Sequence, residues 1–329
     1  MFRGVNPAQR VQIVLFAKVL VACAALCFAV ITSGNAPARG QSMTTIRVAA
    51  IPIEAAAEVY YAKDNGFFAK VGLDVDIQGI AAGAIIPAVA SNAADIGYAT
   101  VDTLATTHQK RIPFVIIAPA SVYQSPATQH IGALLLPLAS TIQQAKDLDG
   151  KTVATAALNS LAEYAPRVWI DREGGDSSTV KFVEVPFGAM PAAIQAGRVD
   201  AAWITEPFVT IAKKNGRVLT YGFDDISKQF LIGAWFTTSQ WANDHSDLVN
   251  RFASVMRETA VWANSNQARS GEILAKYSNL DPTVLSTMTR SHYAERLDPA
   301  LLQPLIDVAA KYAKFNSFPA QELIYSPSH

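Results

Sequence analysis

Short apolar runs alternate with longer stretches of helical composition along the first two thirds of this chain. The runs are four to six residues long and rich in β-branched residues, which predicts buried strands. They are Arg47–Ile51, Leu73–Ile77, Ile96–Ala99, Phe114–Ala118, Thr152–Thr155, Val180–Val185 and Ala201–Ile204. The stretches between them predict the helices Ala55–Asn65, Ala84–Asn92, Val101–Gln109, Ser160–Glu173, Met190–Gly197 and Pro207–Asn215. Strands that alternate with helices in this way predict parallel sheets with helices on both faces.

The pattern of strands and helices occurs twice, and the two copies are offset by 105 residues. Residues 46–100 align with residues 151–205 without a gap, and ten of the 55 aligned positions are identical. The identities include Gly83 with Gly188, Asp95 with Asp200 and Thr100 with Thr205 as matching pairs. A long internal period of this kind indicates two similar units. Two α/β lobes that face each other form a cleft, and clefts between lobes are where small molecules bind.

Two apolar strands fall outside the repeat and predict crossovers between the lobes. They are Ile131–Pro137 and Phe230–Thr238. The last third of the chain has apolar residues at helical spacing, and we expect it to pack back onto the first lobe. The predicted domains are a signal segment at 1–38, a first lobe at 39–133 plus 232–329, and a second lobe at 134–231.

The N-terminus has the organisation of a secretory signal. Three basic residues precede the apolar run Val19–Ile31, and small residues follow it up to Ala38. We expect export to the periplasm with cleavage near Ala38, which would leave a formal net charge of −3. Both cysteines of the chain, Cys23 and Cys27, lie in this segment. An alternative is cleavage and lipid attachment at Cys23.

Composition and charge exclude several classes of function. Only 16% of the 329 residues are charged, the formal net charge is zero, and no basic run is present, which argues against nucleic acid as a partner. Known catalytic motifs with a nucleophilic serine, a zinc-binding helix or a phosphate loop do not occur. The five histidines are scattered without metal-ligand spacing. We therefore expect no enzyme activity, no cofactor and no metal.

Candidate ligand contacts lie in the loops that follow the strands, because ligands of open parallel sheets bind beyond the carboxyl ends of the strands. The helices that begin there have free N–H groups for polar ligand atoms. Each candidate also has a purely structural interpretation as a helix cap, a core aromatic or a contact between lobes. The candidates are Ile53, Glu54, Gly83, Ala84, Thr100, Asp102, Asn159, Ser160, Phe187, Glu206, Phe208 and Trp235.

The charges of these loops are all acidic. They are Glu54, Asp102, Glu184 and Glu206. The loops alone therefore favour a neutral or amine-bearing ligand with a flat apolar part, unless Lys110, Arg111 or Arg167 reaches inward.

Four segments carry a resemblance to a known family. They read AKDNGFFAKVGLDVDI at 62–77, ASNAADIGYATVD at 90–102, DLDGKTVAT at 147–155 and VKFVEVPFGAMPAAIQAGRVDAAWITEPF at 180–208. The chain resembles the periplasmic substrate-binding proteins of ABC transporters of the nitrate/sulfonate/taurine type, a group that includes binders of thiamine-pyrimidine precursors. At the first loop, Ile53-Glu54 departs from the small polar residues common in the sulfonate and taurine binders.

This resemblance implies a type II periplasmic-binding fold with two α/β lobes, two crossover strands and hinge closure around the ligand. It also implies that a monomer delivers its small-molecule solute to a permease and an ATPase at the inner membrane. Two alternatives remain open. One is a sensory ligand-binding protein. The other is an enzyme like the thiamine-pyrimidine synthases, which use cysteines that the chain lacks after the signal segment.

Overall fold

The structure is a computed structural model that describes residues 43–125, 130–278 and 281–327. The predicted signal segment and both cysteines lie outside the described residues.

The described residues form thirteen strands. In chain order they are β1 (Thr44–Ala50), β2 (Leu73–Gly79), β3 (Ile96–Thr100), β4 (Phe114–Pro119), β5 (Ser121–Gln124), β6 (Gly132–Pro137), β7 (Thr152–Thr155), β8 (Lys181–Glu184), β9 (Ala201–Thr205), β10 (Gly216–Thr220), β11 (Gln229–Leu231), β12 (Gly233–Thr238) and β13 (His292–Tyr293).

Twelve α-helices are found in the same part of the chain. They are α1 (Glu58–Asp64), α2 (Phe67–Lys70), α3 (Ala82–Ala90), α4 (Val101–Gln109), α5 (Leu161–Arg172), α6 (Met190–Gln195), α7 (Phe208–Ala212), α8 (Ser239–Asp244), α9 (Ser246–Ser265), α10 (Gln267–Ser278), α11 (Pro282–Thr287) and α12 (Pro299–Ala313). Short 3₁₀ turns include Glu54–Ala56, Phe187–Ala189 and Phe223–Asp225.

Two five-stranded sheets form the centres of two lobes. The first sheet has the order β2-β1-β3-β12-β4, and the second has the order β10-β6-β9-β7-β8. The two-lobed α/β fold that the sequence predicts is confirmed. A third, small sheet of order β11-β5-β13 pairs the two segments that lead from one large sheet to the other. The predicted lobe boundaries near 133 and 231 fall beside these segments and stay predictions.

The prediction of parallel sheets is wrong in one respect. Strands β1, β2 and β3 are parallel, as are β7, β8 and β9. However, β12 runs antiparallel between β3 and β4, and β6 runs antiparallel to β9 and β10. These two strands lie within the segments predicted as crossovers. A chain that returns from the other lobe enters the sheet in the opposite direction, and its backbone groups are then paired by the neighbouring strands.

The internal repeat has a structural basis in matching hydrogen bonds. The Asp95 carboxylate accepts the backbone N–H of Arg47 at 2.8 Å, and the Asp200 carboxylate accepts that of Thr152 at the same distance. Each aspartate thus satisfies an N–H group of the middle one of the three parallel strands of its lobe, β1 or β7. The aspartate has the same local role in both lobes, which explains its identity in the two copies.

Helices from the last third of the chain pack on both lobes. Helix α9 lies against α1 and β4 of the first lobe, as predicted from its apolar spacing. Helix α12 contacts α4 of the first lobe and α5 of the second. The Tyr312 hydroxyl donates to the Asp171 carboxylate of α5 at 2.8 Å. The C-terminal part therefore connects the lobes, whereas the sequence predicted contact with the first lobe alone.

Candidate functional site

A cavity of about 310 Å³ lies between the loops of the two lobes, beyond the carboxyl ends of their strands. Both copies of the repeat contribute to its wall. The lining residues are Ile51, Ile53, Ala55, Ala82, Gly83, Ile86, Tyr98, Ala99, Thr100, Thr103, Thr106, Thr107, Lys110, Ile131, Ala156, Ala157, Leu158, Asn159, Ser160, Leu161, Ala162, Glu184, Phe187, Trp203, Thr205, Phe223 and Ile232.

Two aromatic residues at equivalent positions of the repeat, Tyr98 and Trp203, form part of this wall. Each requires a glycine on the neighbouring crossover strand. A Cβ atom on Gly233 would lie 2.3 Å from the Tyr98 hydroxyl, and one on Gly132 would lie 3.1 Å from the Trp203 ring. Gly233 thus lets the Tyr98 side chain occupy space that any larger residue would take.

The N-terminus of α5 forms one part of the wall, where Ser160, Leu161 and Ala162 line the cavity. No side chain caps this twelve-residue helix, because the Ser160 hydroxyl donates to the Ala157 carbonyl at 2.8 Å instead. The first N–H groups of a helix have no acceptor within it and carry partial positive charge. Asn159 precedes the helix with a positive φ of 55°, and its N–H donates to Glu163 at 2.7 Å.

One face of α4 and the residue that follows it supply hydroxyl groups and a cation to the wall. Thr103, Thr106, Thr107 and Lys110 recur at intervals of three or four and all line the cavity. Lys110 is the only basic residue in the described wall, and Glu184 is the only acidic one. One Glu184 oxygen accepts the backbone N–H of Leu158 at 2.8 Å, which holds the two loops of the second lobe together.

Six of the twelve predicted site residues lie in the wall of the cavity. They are Ile53, Gly83, Thr100, Asn159, Ser160 and Phe187. Three of the others are apolar or small residues placed outside it. Ala84 is exposed beside the cavity. Phe208 stacks on Phe187 at 6.3 Å between ring centroids. Trp235 is fully buried in the first lobe, where its indole N–H donates to Glu58 at 3.3 Å.

Glu54 is also outside the wall, although its neighbours Ile53 and Ala55 line it. Its side chain is 1% exposed and pairs with Arg290 at 2.9 Å. The same carboxylate accepts the N–H of Ser291 at 2.9 Å and the hydroxyl of Tyr61 at 3.1 Å. Burial raises the pKa of Glu54, and Arg290 and the hydrogen bonds offset part of that rise. The contacts in the structure are those of a structural ion pair.

Glu206 spans from the second lobe to the C-terminal part of the chain. Its carboxylate accepts the N–H and the hydroxyl of Thr210, both at 3.0 Å, and the backbone N–H of Thr289 at 3.3 Å. Burial raises its pKa, with the Thr210 and Thr289 hydrogen bonds acting against that shift. Of the two interpretations of Glu206, the structure favours the contact between lobes.

Asp102 is completely buried beneath the threonines of α4. Neither of its carboxylate oxygens has a hydrogen-bond partner of ordinary geometry among the described residues. Burial raises the pKa of Asp102 to about 7, and the nearby Thr100 hydroxyl and the N–H groups of Thr103 and Leu161 offset only part of the effect. The Asp102 carboxyl group therefore keeps its proton at a higher pH than an exposed aspartate does.

Sequence reasoning missed most of the α4 wall and Trp203. The spacing of Thr103, Thr106 or Thr107, and Lys110 after a strand end was a usable signal, because residues three and four apart share a helix face. Trp203 was detectable as the repeat partner of Tyr98. The contacts of Glu54 with Arg290 and of Glu206 with Thr289 had no local signal, because these partners lie more than 80 residues away along the chain.

The described residues contain no group of three or more His, Cys, Asp or Glu side chains that could hold a metal ion. In the same part of the chain, no helix has both the length and the apolar character to cross a membrane.

Two lobes with the same strand order, joined by paired crossover segments and enclosing a cavity at their strand ends, define a protein with the two-lobed periplasmic-binding fold. The chain belongs to the family described as NMT1/THI5 like, whose profile matches residues 54–270. The matched range covers the wall residues of the loop after β1 from Ala55 onward. It also covers all wall residues of the second lobe.

Similar proteins carry related descriptions. The taurine-binding periplasmic protein of Escherichia coli (strain K12) is 28% identical over 196 residues, which are 58% of this chain and 58% of that protein. The alignment thus spans less than two thirds of that relative's length. The periplasmic aliphatic sulphonate binding protein SsuA from Escherichia coli has a TM-score of 0.67 at 17% identity, covering 86% of this chain and 92% of that one. The periplasmic nitrate-binding protein NrtA from Synechocystis PCC 6803 has the same TM-score at 16% identity, covering 87% and 92%.

Proposed function

We propose that this protein is the solute-binding receptor of an ABC import system and that its solute is a small organic anion with an apolar body, of the sulfonate class. The observation that carries the proposal is a cavity between two lobes whose wall combines an uncapped helix N-terminus with aromatic and aliphatic residues. Helix N-termini bind anions through their free N–H groups and partial positive charge. The taurine-binding and sulphonate-binding relatives support this choice of solute.

The burial of three carboxylates is the reason to prefer an anion over an amine. The loop charges favoured a neutral or amine-bearing ligand because all four were acidic. Glu54 and Glu206 are held by other protein groups, and Asp102 lies out of contact with the cavity. The wall then has one acidic residue, Glu184, against Lys110 and the N-terminus of α5. A zwitterion such as taurine matches this arrangement, with its sulfonate near the helix and its ammonium near Glu184.

The size of the cavity limits the solute. A volume of 310 Å³ is at the lower end of the range for small-molecule sites, where most of the ligand surface becomes buried. It corresponds to about ten water molecules at roughly 30 Å³ each. Solutes with a short hydrocarbon part fit this space.

The cellular part of the proposal follows from the family and the relatives. We propose that the exported protein acts as a monomer in the periplasm, without a cofactor, and passes its solute to a permease driven by an ATPase. We propose no enzyme activity, in keeping with relatives described as binding proteins. A sensory protein would have the same cavity. Solute uptake by cells that lack the gene separates transport from sensing, because loss of a sensor changes gene expression without abolishing uptake.

Calorimetry on purified protein tests the solute class. The panel contains taurine, propanesulfonate, nitrate, benzoate, aminopyrimidines and aliphatic amines. We expect binding of taurine or propanesulfonate. Lys110→Met should weaken that binding about tenfold, or 1.4 kcal/mol, and Lys151→Met, which removes an exposed cation away from the cavity, is the matched control. Binding of amines or aminopyrimidines alone would refute the anion assignment, and binding of no small solute would refute the receptor function.

A further inference from the structure

Three consecutive residues, Thr289, Arg290 and Ser291, contact buried carboxylates from both lobes. The N–H of Thr289 donates to Glu206, which directly follows β9 of the second lobe. Arg290 and the N–H of Ser291 both donate to Glu54, which follows β1 of the first lobe. The two carboxylates are 1% and 2% exposed, so neither contact is a surface ion pair.

The segment 289–291 is fixed firmly to the first lobe. Arg290 donates its Nε–H to Glu54 at 2.9 Å and its Nη2–H groups to the Tyr61 hydroxyl and the Ser270 hydroxyl, both at 2.8 Å. Ser291 adds a backbone bond of 2.9 Å to the same Glu54 oxygen. Four hydrogen bonds, each with the Arg290 guanidinium or the Glu54 carboxylate as a charged participant, hold the segment to residues of α1, α10 and the loop after β1.

The contact with the second lobe is a single hydrogen bond. Glu206 keeps two hydrogen bonds to Thr210 of its own lobe, and only its 3.3 Å bond to Thr289 reaches the segment. If the lobes separate, the bond to Thr289 is the one that breaks, because the other bonds lie within each lobe. Glu206 and Glu54 are each adjacent in sequence to residues of the cavity wall, Thr205 on one side and Ile53 and Ala55 on the other.

We propose that the segment 289–291 is a closing latch. Arg290 and Ser291 anchor it to the first lobe, and the N–H of Thr289 binds Glu206 when the lobes are closed around the solute. The latch rests on the proposed function, because it acts by slowing the escape of a solute from the cavity. It connects the two wall loops through a part of the chain that does not itself touch the cavity.

The variant Thr289→Pro tests the latch because it removes the N–H group that donates to Glu206. Met288 has φ −67° and ψ 156°, the extended conformation that a residue before proline requires. Thr289→Ala keeps the N–H group and measures what loss of the side chain does by itself. The difference in dissociation rate between these two variants measures the contribution of the latch.

Two measurements are made on both variants and the unmodified protein. The first is the dissociation rate of taurine, or of the sulfonate that binds best, by stopped-flow mixing. We expect Thr289→Pro to dissociate about tenfold faster than Thr289→Ala, with association rates within a factor of two or three. The second is the radius of gyration without solute, by small-angle X-ray scattering, which we expect to be larger for Thr289→Pro.

Equal dissociation rates for the two variants would overturn the latch, and so would a change confined to association. If Thr289→Pro fails to fold, Glu206→Ala removes the same bond from the other side. Thr210→Ala is its control, because it removes a bond to Glu206 within the second lobe. Failure of the unmodified protein to bind any small solute would overturn the proposed function. The scattering comparison then decides the latch alone, and equal radii would refute it.

Discussion

Replacing Arg290 by methionine should destabilise the protein strongly, because it leaves the buried carboxylate of Glu54 without its cation. The side chain of Arg290 is only 9% exposed and that of Glu54 only 1%. The substitution removes three hydrogen bonds, those to Glu54, Tyr61 and Ser270. Methionine fills similar space without a polar group, so the loss reports mainly on the charge.

The expected loss is about 3–5 kcal/mol at pH 8, the usual cost of removing one partner from a buried ion pair. Part of it depends on pH. Burial already raises the pKa of Glu54 above its unfolded value of roughly 4.3, and loss of Arg290 raises it further. A carboxyl whose folded pKa is raised binds protons more readily in the folded state, so its contribution to stability falls as pH rises through the interval between the two values. Near pH 5 most of the penalty should disappear, leaving about 1–2 kcal/mol for the missing hydrogen bonds.

Urea unfolding at pH 5 and pH 8 measures both quantities. Arg172→Met is the control, because its ion pair with Asp225 is exposed on the arginine side, and such pairs contribute about 0–1 kcal/mol. A loss for Arg290→Met that is equal at the two pH values would refute the argument, since it would show that the charge of Glu54 does not set the cost. A loss no larger than that of the control would refute the burial argument as well.

Three further predictions concern stability. Asp102→Asn should stabilise the protein by about 2–4 kcal/mol at pH 8 and by much less at pH 5. Burial raises the pKa of Asp102 to about 7, so the stability of the unmodified protein falls as pH rises from the unfolded pKa of roughly 3.9 to that value. Urea unfolding at both pH values measures this, and a pH-independent difference would contradict it. Gly233→Ala should lower the stability by about 1–3 kcal/mol, because the added methyl group clashes with Tyr98. Gly83→Ala should raise it by about 0.5–1 kcal/mol, because the Cβ position in α3 is open. We expect opposite shifts in melting temperature, and shifts of the same sign would be inconsistent with the packing. Asp200→Ala should cost about 1–3 kcal/mol because it leaves a strand N–H group without its acceptor; calorimetric melting checks this, and an unchanged melting temperature would contradict it.

Much of the architecture was predictable because the strands and helices of each lobe follow from local patterns of apolar and polar residues. The repeat of 105 residues implied two lobes, and β3 and β9 begin and end at equivalent positions in them. The same offset pairs Asp95 with Asp200, which make identical hydrogen bonds. The loops after the strands, where the sequence predicts ligand contacts, line the cavity, since the carboxyl ends of parallel strands lie at one edge of a sheet.

The chemistry of the loops was less predictable, because the charge of a side chain says nothing about where it points. The sequence predicts Glu54, Asp102 and Glu206 as ligand contacts because they are acidic residues near strand ends. None of them lines the cavity. The C-terminal part of the chain, which has no counterpart in the repeat, supplies the partners of Glu54 and Glu206. Lys110 lies in the wall because it follows the helix face of α4 that lines the cavity. From the sequence it is predicted only as a residue able to reach inward.

By itself, the sequence determined the two lobes, the strands and helices of their repeated part, and the loops that follow the strands, because these depend on hydrophobic period and on short-range turn and cap signals. The tertiary structure alone decided which charges face the solute and which are buried in contacts between distant segments. The physical reason is that the burial of a carboxylate depends on groups far along the chain, such as Arg290 for Glu54 and Thr289 for Glu206. Only folding brings those groups within hydrogen-bond distance.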